Sequence, residues 1–402
     1  MAFPEGFDWG ATVPSTDGRA PSPASDLGDA IGRGGSTPSG PGLGWPEAAT
    51  DDLAAVADVG IRSVRLTLDW ARLEPAPGRA DDAAIEELRL AIDAAREAGL
   101  AVWGCLHDGP LPGWFAVDEH GFGDPRARRY HWPRFVELAG EAFGDRVAGW
   151  VPVAEPNRWA HRGWIDGSRP PFGHDDAQGF AEALEGILLA TVDAALRLRP
   201  GGRPVASCHW YVPVAPARLE ADLPPTPEAE VWAARVDEVH RGCWERLLHE
   251  GTLVVPNRSP VEVPAAREAF DLLGLSYRHG WAVRGDGALL PYPQRTSLGP
   301  DGTVPWPEGF GVALHGLAES FPDRPLVAAV GAMGGRAQAG ESWREVLAIA
   351  EDAVGGGMDL RGLWWRRPID PRPGAGVGLL DHDRSPTPAA TVLRGVLGPS
   401  AA

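Results

Sequence analysis

Lysine is missing altogether from the 402 residues, so all 37 basic side chains are arginine. Chemistry that forms a Schiff base on a lysine amine is therefore excluded, and with it the lysine-dependent aldolases and pyridoxal-phosphate enzymes. Cysteine is nearly missing too. Cys105, Cys208 and Cys243 are widely spaced and form no CxxC pair, so they read as small buried residues and not as a disulfide framework or a metal site. The eleven histidines include no HxH or HExxH spacing, which gives no reason to expect a metal. The glycine-rich stretches GRGGSTPSGPG and VGGGM fit neither GxGxxG nor the P-loop, so no nucleotide and no other cofactor is expected. No apolar run approaches the length of a membrane span. The opening MAFPEGFDWG has neither a basic nor an apolar leader region, and residence in the cytoplasm, away from any membrane, is the expectation. Positive charge in excess is also lacking. A net charge of −18 argues against a nucleic-acid or anionic-membrane partner, which leaves a small-molecule substrate.

What is present is the material of a globular protein, with 44% hydrophobic and 23% charged residues. Short β-branched or apolar runs alternate with longer amphipathic ones, the rhythm of βα units around a parallel sheet. Eight strands are expected near Asp8–Val13, Ser63–Asp69, Ala101–His107, Ala148–Ala154, Pro204–Val212, Ala269–Tyr277, Pro325–Val330 and Leu360–Trp365. The clearest helix follows the second strand. Asp81 can cap it, Ile85, Leu88, Ile92 and Ala95 share one face, and Gly99 ends it. Further helices are expected near Gln178–Leu198, Glu228–His249, Glu308–Phe321 and Glu341–Val354. The Pro-, Gly- and Ser-rich stretch Pro21–Gly44 follows the first strand and reads as a long first βα loop, not a domain linker. The fold expected is α/β, a single (β/α)8 TIM barrel over residues 1–402.

Working residues of such barrels sit at the C-terminal ends of the strands. The fourth strand ends WVPVAEPN with Glu155, the third ends at His107 and Asp108, and the second carries Arg65 and Asp69. Several segments in order carry a resemblance. FPEGFDWGAT is similar to FPxGFxWGxA, DDLAAVADVGIRSVRLTLDWARLEP to a helix–strand segment with YRFSISWxRxxP, and VWGCLHDGPLP to LxHWDxP. FGDRVAGWVPVAEPN is similar to FGDRVxxWxTxNEP, and FDLLGLSYRHG to DFxGxNYY. On these motifs the chain resembles the family-one glycoside hydrolases, a likeness that runs from the first strand to GVGLLDHDRSPTP near the end.

The resemblance implies a retaining β-glycosidase plan, with two carboxyl groups about 5–5.5 Å apart, one an acid/base and the other a nucleophile. Glu155 stands at the acid/base position. The nucleophile's ITENG segment corresponds to RPLVAAVGAMGG, which puts Ala329 at the nucleophile. Other departures lie on the same face. Ala154 replaces the Asn before the acid/base, Asp17 falls at a sugar-binding Gln, and Asp108 stands at the Trp after His107. In GLWWRRPIDPRPG, Asp370 is kept, Arg366 stands at a Trp and Pro373 at the sugar-gripping Glu. Arg65 and Tyr277 match residues that the family places beside the nucleophile, and here they lack that anionic neighbour.

A buried guanidinium needs a counter-charge. For Arg65 it could be Asp69, Asp17, Asp108, or a ligand carboxylate gripped with the help of Arg366. Glu155, flanked by Ala154 and Pro156 and near Trp159, is expected to be desolvated and raised in pKa, which suits a general acid. The plain alternative is a carboxylate retained with no proton to move. His107 could be a substrate contact or a satisfied structural histidine, and Asp17 and Asp108 ligand contacts or ordinary loop acids. Arg65 and Tyr277 are expected in the ligand pocket. Trp114, Trp159, Trp210, Trp364 and Trp365 could line an apolar pocket or belong to the core.

Three functions follow. The leading one is an enzyme of glycosidase descent using Glu155 as general acid or acid/base on an acetal-like or polyhydroxylated molecule, one that can carry an anionic group read by Arg65. A cyclisation, dehydration or rearrangement in specialised metabolism would fit. The second is a glycosidase with a non-standard mechanism, such as inversion, which needs carboxyls roughly 6.5–9.5 Å apart. The third is a non-catalytic protein that binds a sugar or metabolite.

Overall fold

The computed structural model describes residues 3–36, 40–220 and 222–397. Its centre is a parallel sheet of eight strands: β1 (Asp8–Val13), β2 (Ser63–Thr67), β3 (Ala101–His107), β4 (Gly149–Val153), β5 (His209–Trp210), β6 (Leu273–Tyr277), β7 (Leu326–Gly331) and β8 (Leu360–Arg366). Neighbours run in the order β4, β3, β2, β1, β8, β7, β6, β5. The two ends meet through the chain just before β5. Trp150 pairs in parallel with Val205, its N–H donating to the Pro204 carbonyl at 2.9 Å, while the Ala206 N–H returns to the Trp150 carbonyl at 2.8 Å. That contact closes the sheet into a single (β/α)8 barrel. Every residue of β4, β6 and β7 is buried, as expected for strands covered on both faces.

Local sequence explains the elements. Asp81 caps helix Asp82–Glu97 by accepting the N–H groups of Ala83 and Ala84. Ile85, Ile92 and Ala95 are buried and Leu88 is half-buried. Gly99, at φ 82°, supplies the left-handed turn that ends the helix. The expected helix Glu228–His249 is interrupted. It runs as Pro227–Asp237, one π turn at Glu238–Gly242, and Cys243–Glu250. The last expected helix begins earlier, as Gly335–Gly355. The fifth strand is also shorter than Pro204–Val212, with paired backbone only at Val205, Ala206 and His209–Trp210.

The first loop is more ordered than its composition suggests. It holds helix Asp26–Gly32, capped by the Ser25 side chain, and residues 37–39 of the expected loop lie outside the described ones. A small sheet of Val214–Pro216, Gly280–Val283 and Leu289–Tyr292 sits outside the barrel. Among the described residues, no helix is long and apolar enough to cross a membrane.

Candidate functional site

β4 ends at Val153 and the chain turns sharply. Glu155 takes a left-handed conformation, φ 54° and ψ 52°, before Pro156 starts helix Pro156–Trp164. A non-glycine residue there costs on the order of 1 kcal/mol. The Glu155 N–H is anchored to the Cys208 carbonyl at 2.7 Å, and the Ala154 N–H to that of His107 at 2.9 Å. The carboxylate is thereby fixed over the barrel mouth, with 3% of the residue exposed.

Four side chains converge on that carboxylate. From β6, the Ser276 hydroxyl donates to Oε1 at 2.5 Å. Just beyond β6, Arg278 donates Nε to Oε1 at 2.8 Å and Nη2 to Oε2 at 3.1 Å. Arg158, one helical turn on, donates to Oε2 at 3.1 Å, and Arg366, at the end of β8, lies 3.5 Å from Oε1. Burial pushes the Glu155 carboxyl up, but Arg278, Arg366 and Arg158 outweigh it and hold the group well below the usual carboxylate range. The expectation of a raised pKa is corrected accordingly: the environment is not apolar but full of guanidinium. The same crowding acts on the partners. Burial, then Arg158 and Arg366, pull Arg278 down to about 9, and burial leads the fall of Arg158 to about 10.

Arg65, 1% exposed, finds its counter-charge within the protein. Its Nη2 sits 2.5 Å from Asp108 Oδ2, and Nη1 donates to Cys208 Sγ at 3.2 Å. Of the three acids considered as its partner, Asp108 fills the role. Asp69 pairs with Arg72 at 3.1 Å and Asp17 with Arg367 at 2.8 Å. Burial is the main cause of a raised Asp17 pKa. Asp108 is shared with Arg366 at 3.6 Å, so Arg366 links the Arg65 and Glu155 pairs. Tyr277 is turned away from the site, its hydroxyl donating to the Trp306 carbonyl at 2.5 Å. His107 is buried among Trp159 and Phe122, is pushed down to about 4 by burial, and leaves Nε2 without a hydrogen-bond partner among the described residues. Ala329 on β7 lies between Ser276 and Trp364 in the sheet register.

A cavity of about 90 Å³ opens over these pairs. Its walls include Asp26, Asp108, Ala154, Glu155, Arg158, Trp159, Arg162, Arg169, Arg366 and Arg367. Of the sequence candidates, Glu155, Asp108 and Arg366 line it, whereas Arg65, Tyr277, His107 and Asp17 do not. Trp159 is the one tryptophan of the five candidates in its wall; Trp364 packs on Trp103 and Trp365 on Trp343. Asp370 is wholly buried and accepts the N–H groups of Gly376, Val377 and Gly378, a structural role, while Pro373 is exposed. Arg162 and Arg169 have no carboxylate within 4 Å among the described residues; both lean on Ser168. Burial, with Arg169 and Arg278 nearby, pulls Arg162 down to about 10.

Sequence reasoning missed Arg158, Arg162, Arg169, Arg278, Arg367 and Asp26. Two signals were available. SYR replaces the NYY of the quoted motif, and RR follows Trp365, both at strand ends.

A closed barrel with carboxylates at its C-terminal mouth is an architecture that glycoside hydrolases share with many other enzymes. The profile of Glycosyl hydrolase family 1 matches residues 3–212, and the chain belongs to that family. Beta-glucosidase A of Thermotoga maritima is 24% identical over 306 residues, 71% of this chain and 67% of that protein. The mouse lactase-like protein is 26% identical over 212 residues; the match takes in 48% of this chain and about a third (36%) of that protein. Among solved structures, a β-glycosidase from Pyrococcus horikoshii superposes with TM-score 0.80 at 19% identity, covering 98% of this chain and 94% of its own. The family 1 β-glucosidase of T. maritima in complex with isofagomine lactam gives 0.81 at 18%, covering 98% of both chains.

Proposed function

We propose that this family-one barrel binds an anionic small molecule at its mouth and does not hydrolyse glycosides through a glycosyl-enzyme intermediate. The observation that carries the reading is the arginine surplus. Arg158, Arg162, Arg169, Arg366 and Arg367 face three carboxyls, Asp26, Asp108 and Glu155, around one cavity in a chain of net charge −18. Guanidiniums partly removed from water are stabilised by a carboxylate, phosphate or sulfate that they can grip in a fork. Supporting the loss of double displacement, Ala329 stands where the family likeness puts the nucleophile, and Pro373, which is exposed, stands at a sugar-gripping Glu. Glu155 in this reading is a fixed anion that orients Arg158, Arg278 and Arg366, not the general acid. A polyhydroxylated acid or ester of specialised metabolism would suit the site. Residence in the cytoplasm belongs to the same reading, supported by three free cysteines.

Calorimetric titration at low ionic strength tests it. Sulfate binds, glucose does not, and Arg162→Gln or Arg366→Gln weakens sulfate by roughly tenfold or more. Hydrolysis of an aryl β-glucoside that disappears in Glu155→Gln would sink the reading. So would turnover restored by Ala329→Glu, which would mean that only the nucleophile is missing.

A further inference from the structure

Asp17, Asp69, Asp108 and Glu155, carboxyls at or beside the barrel mouth, are each committed to an arginine: Asp17 to Arg367, Asp69 to Arg72, Asp108 to Arg65, and Glu155 to Arg278. Asp26 is the exception. It lines the same cavity at 7% exposure, and no ion pair reaches it among the described residues. The N–H groups of Leu27 (2.6 Å) and Leu111 (3.1 Å) both donate to Oδ1, and among the described residues Oδ2 has no hydrogen bond. From these contacts we infer that Asp26 is the proton-exchanging carboxyl of the pocket, giving a proton from Oδ2 to a basic oxygen of the bound anion and taking one back from water.

The physics is that of a carboxyl left without a cation. Burial penalises the charged form, and two backbone donors do not offset it. Burial is the main reason the group stands at about 7, against the downward pull of the Leu111 and Leu27 N–H groups and the more distant Arg169, while Asp69 at the end of β2 adds to the rise. In the transfer the Oδ2–H bond breaks, its electron pair stays on the carboxylate, and the proton joins a lone pair on the ligand oxygen. A water molecule then returns a proton to Oδ2; the O–H bonding pair stays on the water oxygen as hydroxide, which the bulk solvent neutralises. Glu155 cannot take this part, because its proton is already displaced by three guanidiniums. The inference rests on the proposed binding of an anion for its ligand, though not for the titration of Asp26 itself.

Two measurements test it separately. Carbon NMR of aspartate-labelled protein, without ligand, shows one carboxyl titrating near pH 7 that is absent from Asp26→Asn. In Arg169→Gln, which leaves Asp26 in place, its midpoint moves up. If the missing resonance titrates in the ordinary carboxylate range near pH 4, the inference is overturned. Sulfate, which does not titrate in this range, then reads the coupling. Its affinity rises about tenfold from pH 8 to pH 6 in the wild type and stays flat in Asp26→Asn; an equal rise in Asp26→Asn overturns the inference. Sulfate that fails to bind at either pH refutes the anion pocket, while the NMR titration still decides Asp26.

Discussion

The arginine–carboxylate cluster at the barrel mouth borders a second buried cluster, of histidines and aromatic rings, and the two accommodate ionisable groups in opposite ways. At the mouth the groups stay charged and are paired: Glu155 with Arg278, Arg158 and Arg366, and Asp108 with Arg65. Behind it, His161 and His240 pack on Trp281 with ring centres 4.9 and 5.1 Å away, and His209 stacks on Trp244. There burial pushes His161, His209 and His279 down to about 4 and His240 well below its ordinary value, so the rings are neutral. Arg158 belongs to both regions, bonded to Glu155 and lying over the Trp210 ring at 5.8 Å. The difference follows from the side chains. Arginine keeps its proton at neutral pH even where burial lowers its pKa and is stabilised there by an anion, whereas histidine escapes the desolvation cost by becoming neutral.

Removing the shared anion should break the first cluster with the largest effect. Glu155→Gln leaves three guanidiniums around a neutral amide and should cost about 3–5 kcal/mol in denaturant unfolding. An unchanged unfolding midpoint would mean that the pairs add nothing.

Acid should separate the clusters by their windows. A histidine held near 4 takes up no proton while its unfolded counterpart, at 6.5, does. Stability is therefore full above about pH 6.5 and falls as pH drops towards 4, by on the order of 3 kcal/mol for each such histidine. The Glu155 contribution is present above its unfolded value of 4.5 and is lost only below it, as pH falls towards the depressed folded value. Urea midpoints between pH 8 and pH 4 should decline well before 4.5; a flat profile down to that point would remove the histidine account.

The smallest effect concerns the boundary of the pocket. Tyr277→Phe loses one hydrogen bond to Trp306 and about 1 kcal/mol, with no change in sulfate affinity. A weaker sulfate complex would return Tyr277 to the site.

Much of the barrel was legible because its strands are buried on both faces and each ends in a motif. Asp8–Val13 and Ala101–His107 match their expected bounds, and Glu155 does sit at the end of β4. Arg65 could be given a set of partners from sequence but not a choice among them, since Asp17, Asp69 and Asp108 lie on different loops. Arg278 carried only the departure of SYR from the quoted motif, and Arg158 no signal of its own. One follows a strand and the other sits in a helix, and only the turn at Glu155 brings them to one carboxylate. Asp26 lay in a stretch whose composition reads as loop, and its burial comes from the Leu111 segment packed against it.

The sequence by itself determined the family, the eight-stranded plan, the exclusion of lysine chemistry and the placement of Glu155 at a strand end. These depend on local pattern and on the order of motifs along the chain. The charge state of the site was decided only by tertiary structure. Whether burial raises a carboxyl, as at Asp26, or arginines lower it, as at Glu155, depends on which side chains arrive from distant strands.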